Sequence, residues 1–183
     1  MKKVYLLFVV IAIFFSSATY SQKNPQILKL LSANEKLTIE ALDGQATIAD
    51  AKDVFKAYID PDFIDWGFSQ PGLATGETSL NVYEMTGEGT FVKIFTEITP
   101  DLDKIIMTQA QIIRFCEKYP NWLRQEGLAT FFLTKKNNEY FVADVHVFSD
   151  GLGVRVYRLE DDRVWHGEAR YRVVFPQLIP LVK

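Results

Sequence analysis

Apolar and polar positions change their period along this chain, and the changes mark its elements. Val4 to Phe15 is an unbroken apolar run behind the basic start Met1-Lys2-Lys3, and Ser16 to Gln22 is small and polar. That three-part layout predicts a secretory signal. From Pro25 to Leu42, apolar residues at 27, 28, 30, 31, 37, 39 and 42 predict helix, with a break near Ser32-Ala33-Asn34 and a stop at Asp43-Gly44. Thr47 as N-cap with Ile48, Ala51, Val54, Phe55 and Tyr58 on one face predicts a second helix. Asp60-Pro61 ends it and starts a short turn through Phe63 and Trp66.

Further on, Leu80 to Met85 alternates as a strand. Thr86-Gly87-Glu88-Gly89 is turn chemistry, and Thr90 to Ile98 then reads as the second arm of a hairpin. Thr108 and Gln111 fit a capping box ahead of Ile112, Ile113, Cys116 and Tyr119, which predicts a helix that Pro120 interrupts. The C-terminal third is strand: Ala129 to Lys135, Glu139 to Phe148, Gly153 to Leu159, and about Arg170 to Phe175. Asn137-Asn138 and Asp150-Gly151 both suit two-residue hairpin turns. The resulting expectation is an α+β fold: N-terminal helices plus a mostly antiparallel, hairpin-built sheet with a helix packed on one face.

Register converts this pattern into faces. Turns at 137–138 and 150–151 predict the pairs Phe132 with Ala143, Thr134 with Phe141, Val145 with Val156, and Val147 with Val154. One face is then apolar: Phe132, Phe141, Ala143, Val145, Val147, Val154 and Val156. The reverse face collects Tyr140, Asp144, His146, Arg155 and Tyr157 beside Phe131 and Leu133, with His146 opposite Arg155. This reverse face has three readings: a half-solvated surface of mutually neutralising charges, a binding surface, or a catalytic one. In the catalytic reading Asp144 orients His146 as general base and Arg155 stabilises an anion. On either functional reading His146→Ala leaves an interaction module folded, and it abolishes turnover in a hydrolase.

Composition narrows the classes. The apolar run is shorter than the roughly 20 residues of a membrane-spanning helix, so residues 1–22 are read as a signal cleaved near Ser21. Residues 23–183 are then one exported domain, periplasmic or extracellular, with no stable membrane span. Net charge is −3 and the isoelectric point near 5.4, with all seven arginines in the second half. That balance argues against a nucleic-acid partner. Cys116 is the single cysteine, which excludes an internal disulfide and fits a small buried apolar residue better than a nucleophile. Asp60, Asp62 and Asp65 are crowded as metal ligands are, but lack the glycine and glutamate of a calcium loop, so capping is preferred. Trp165-His166 suits either a ligand or cover for a sheet edge. No metal or cofactor is expected. The leading expectation is a non-enzymatic domain binding a protein or small-molecule ligand, with a small hydrolase as the alternative.

Overall fold

Where helices were expected at the N-terminus, the chain is extended. In the computed structural model, which describes residues 26–178, Leu28–Leu30 (β1) and Leu37–Ile39 (β2) are both strands. The expected export segment over 1–22 lies outside the described residues. β1 and β2 pair antiparallel with one edge of Thr78–Met85 (β4), through Leu28 with Met85 and Leu37 with Leu80. An unpaired strand edge offers backbone groups that must find partners. An isolated helix of this length is marginal in water, so pairing with β4 takes precedence over periodicity.

The second expected helix is reduced to a 3₁₀ turn over Ile48–Asp50, and Tyr58–Ile59 becomes β3. The cap signal is diverted. Thr47 Oγ1 donates to Asp50 Oδ2 at 2.7 Å instead of accepting a backbone N–H, and the Ile48 N–H goes to Gln109 Oε1 at 2.9 Å. Conversely, the expected hairpin arm at 90–98 is a helix, Phe91–Thr96 (α2), capped by Thr90. Phe91, Ile94 and Phe95 are fully buried at i, i+3 and i+4, which is helical spacing. A short helix Asp62–Asp65 (α1) follows Pro61. The helix Gln109–Lys118 (α3) carries the capping box, with the Gln111 N–H on Thr108 Oγ1 at 3.3 Å and the Thr108 N–H on Gln111 Oε1 at 2.9 Å.

The remaining strands are Ala129–Lys136 (β5), Glu139–Phe148 (β6), Gly151–Arg158 (β7) and Arg172–Pro176 (β8). The order across the sheet is β1-β4-β8-β5-β6-β7-β3, with β2 also on β4. β5 with β8 and β3 with β7 are parallel, and the other pairs are antiparallel. The expected fold class is thus corrected. The described chain is mostly sheet, eight strands in one mixed sheet, with three short helices.

Both faces of this sheet are buried. α3 and the N-terminal segments cover Phe132, Ala143, Val145, Val154, Val156 and Val174, the first core. α2 and the segments around Ile105 and Trp165 cover Phe131, Leu133, Val142, Val173 and Phe175, the second core. Central strands covered on two sides read as near-continuous apolar runs, and residues 129–134 and 141–146 are buried without a gap.

The first turn behaves as its residues require. Asn137 and Asn138 both take positive φ, 48° and 66°, and Phe132 lies opposite Ala143 as expected. The second turn does not. Its loop is Ser149–Asp150, Phe148 pairs with Gly151, and Val145 faces Val154 rather than Val156. Gly151 takes φ 136° at the start of β7, where a Cβ would stand 3.0 Å from Lys56 Cβ. Glycine is therefore used for close passage against β3's approach, not as a turn centre. The register differs by two residues, so every side chain keeps its expected face.

Candidate functional site

The preserved faces bring Asp144 and His146 together on the reverse side of β6, at the border where the second core ends. Asp144 is fully buried and His146 is 9% exposed. His146 Nε2 lies 2.9 Å from Asp144 Oδ2, and Nδ1 lies 2.9 Å from the Gly127 carbonyl oxygen. The Gly127 carbonyl can only accept, so Nδ1–H donates to it, and Nε2 is engaged by the Asp144 carboxyl group, which leaves neither ring nitrogen free. Burial alone pulls the imidazole's pKa down. The hydrogen bond and charge of Asp144, with the Gly127 carbonyl, outweigh it and raise His146 above its ordinary value. Arg155 opposes this rise through its own charge.

This geometry speaks against His146 as a general base, which needs a ring nitrogen free to take the substrate's proton. Asp144 Oδ1 is buried with no hydrogen-bond partner, a costly condition for a carboxylate. His146 is thus the counterion on which a buried charge depends. The expectation that His146→Ala leaves the fold intact is revised accordingly.

A pH experiment follows from the raised value. A group whose folded pKa exceeds its unfolded one stabilises fully below the unfolded value, about 6.5 for histidine, and loses that contribution as pH rises through the folded value. The urea midpoint is therefore expected to fall as pH rises above about 6.5. A His146→Gln variant is expected to show a flatter profile over the same interval. An equal fall in both proteins removes His146 as the cause.

The other expected site residues separate. Arg155 lies directly across from Asp144 in the ladder, yet its side chain is exposed. His146 instead faces Gly153. Tyr140 is at the far end of β6, six residues or roughly 20 Å from His146. There its hydroxyl donates to Asp103 at 2.8 Å beside Lys135, whose ammonium stands 4.9 Å from the Tyr140 ring centroid. It does not belong to the cluster. Tyr157 is half-buried and roofs the second core, with the Arg163 guanidinium 4.8 Å above its ring. Trp165, which the sequence leaves between a ligand contact and cover for a sheet edge, is 8% exposed and packs at 4.7 Å from Phe131.

Two further residues, Phe148 and Tyr58, complete the patch. Phe148 stacks on His146 with centroids 5.5 Å apart and planes inclined by 6°. Tyr58 pairs with Gly153 from β3. Gly153 makes room for both: a Cβ there would stand 2.8 Å from the Phe148 ring and 3.4 Å from Tyr58 Cβ. Tyr58 is 45% and Phe148 39% exposed. Phe148 shares parity with His146, which is a readable signal. Tyr58 arrives through a parallel pairing across more than 90 residues, and no local pattern announces it.

Other chemistry-bearing residues are accounted for structurally. Cys116 lies in the first core, across the sheet from His146, and burial pushes its thiol far up. Asp60 Oδ1 accepts the Asp62 N–H at 3.2 Å, and Oδ2 accepts the Val156 N–H at 3.4 Å, fastening α1 to β7. Among the described residues, no three His, Cys, Asp or Glu side chains converge as metal ligands. Among them also, no helix is long and apolar enough to cross a membrane. Comparison with protein families, curated proteins and solved structures finds no match to this chain.

Proposed function

We propose that this chain is an exported, non-enzymatic binding domain that receives a protein partner on the open end of the reverse sheet face. The observation that carries this reading is the surface around Gly153. Tyr58 and Phe148 stand exposed there, and Arg155 is exposed two residues from Gly153 on the same face of β7. Aromatic residues and arginine are the types enriched in the energetic centres of protein interfaces. The Asp144–His146 pair holds the patch from beneath, since His146 stacks on Phe148 and is fixed through both ring nitrogens. Export rests on the apolar run behind Met1-Lys2-Lys3. An acidic isoelectric point supports a protein partner over a nucleic acid.

The test is a quantitative capture from the extracytoplasmic fraction of the source cells, with four baits: the unaltered domain, Arg155→Glu, Phe148→Ala, and Lys104→Glu as a distant surface control. A partner of this patch is retained by the unaltered and control baits and depleted roughly tenfold or more by the other two, the loss of about one interface hot spot. Equal capture by all four baits removes the patch as the binding surface.

A further inference from the structure

A second concavity opens well away from that patch, at the hairpin end of β5 and β6. Its volume is about 320 Å³, and Asp65, Trp66, Lys136, Asn137, Glu139 and Arg158 border it. Three separate segments converge there. α1 ends in Asp65 and Trp66, the β5–β6 turn supplies Lys136 and Asn137, and β6 and β7 supply Glu139 and Arg158. Trp66 is half-buried, its ring braced 5.5 Å from Phe141 at the floor of the cleft. The Arg158 guanidinium stands 5.2 Å from the Trp66 ring and is tied to Glu139 at 2.6 Å. The wall is thus a preassembled aromatic and polar platform, not a collapsed contact.

The charges around it balance. Asp65 and Glu139 face Lys136 and Arg158, and Glu139 with Arg158 neutralise each other by direct pairing. Asp65 and Lys136 make no ion pair among the described residues, and with the Asn137 amide they leave polar groups at the rim of the cleft. A strongly anionic polymer meets two carboxylates here, and a strongly cationic one meets two cations. A small zwitterion needs a closed, dry pocket for its charges to count, and this cleft is open. Balanced charges beside an aromatic wall suit a neutral ligand with an apolar flank and many hydroxyls. We propose that this cleft is a subsite for a neutral saccharide chain. A sugar ring packs its C–H groups against the part of Trp66 that borders the cleft, beside the Arg158 guanidinium, while Asp65 and Asn137 accept from its hydroxyls and Lys136 and Asn137 donate to them. Pockets that orient a ligand through a few placed polar groups beside an aromatic wall follow the same design.

The experiment titrates the domain with cellohexaose, chitohexaose and maltohexaose, read by calorimetry and tryptophan fluorescence, with hexagalacturonate and free glycine as the charged alternatives. One neutral hexasaccharide or more is expected to saturate with Kd of about the millimolar order, and Trp66→Ala to weaken it roughly tenfold or more. Val92→Ala, on the exposed face of α2, leaves Kd unchanged. Should Trp66→Ala fail to fold, Asn137→Ala and Asp65→Asn on the exposed rim provide the same comparison. The inference is overturned if no neutral hexasaccharide saturates below about 20 mM. It is equally overturned if folded rim variants bind as the unaltered domain does, or if hexagalacturonate or glycine binds tighter than every neutral chain.

Discussion

His146→Ala is expected to destabilise the domain by about 3–5 kcal/mol, the cost of removing one partner of a buried ion pair. The substitution does more than delete a hydrogen bond. Asp144 already has one oxygen without a partner, and its other oxygen is held by His146 alone. With alanine at 146, a fully buried carboxylate loses its one hydrogen-bonded partner, and the Gly127 carbonyl loses its donor as well. Folded domains carry only about 5–15 kcal/mol in total, so this variant is expected near the limit of folding at room temperature. The measurement is a urea melt of the single variant against a double one, Asp144→Leu with His146→Leu. Replacing both partners by apolar residues removes the stranded charge, and such exchanges are often neutral or stabilising. The double variant is therefore expected to recover most of the loss. If the two variants lose stability equally, packing around His146 is the cause and the counterion account fails.

Phe131→Ala is the other large effect, about 3–5 kcal/mol by the usual cost of truncating a buried phenylalanine. Phe131 is fully buried on a central strand, and its ring meets Phe91 at 5.1 Å, Trp165 at 4.7 Å and Tyr171 at 5.4 Å. It joins α2, the segment before β8, and β5 itself. The neighbours are themselves braced against one another, as Trp165 is against Tyr171 at 5.1 Å. They cannot close readily over the void, which places the cost toward the upper end of that range. Val92→Ala in the same helix is the contrast. Val92 is 41% exposed, and its truncation is expected within about 0.5 kcal/mol. Comparable losses from the two substitutions would show that the second core is not a tightly packed layer.

His146 and Phe131 also show what strand alternation leaves open about the reverse face. Alternation correctly put Phe131, Asp144 and His146 on one side of the ribbon. It also suggested that this side was half-solvated, because acids, bases and aromatics are mixed there. Alternation ranks the two faces of a strand relative to each other and carries no information about what lies over the second one. The cover comes from α2, whose sequence also suits a strand because Phe91, Ile94 and Phe95 sit in a run too short to separate the two periods. Once α2 is a helix, the supposed hairpin partner of β4 vanishes, and β4 pairs with β8 from the far end of the chain.

Local chemistry by itself determined the capping box of α3, the Asn137–Asn138 turn, the β5–β6 register and the faces of Phe131, Phe132, Asp144, His146, Val154 and Val156. Each of these rests on contacts among residues close in sequence, where a side chain and its target are brought together whatever the rest of the chain does. Tertiary structure alone decided that 28–30 and 37–39 are strands, that the sheet is mixed and buried on both sides, and that Tyr58 stands beside Phe148. Those outcomes depend on which distant strand edge is available to satisfy backbone N–H and C=O groups, and no short window of residues contains that partner.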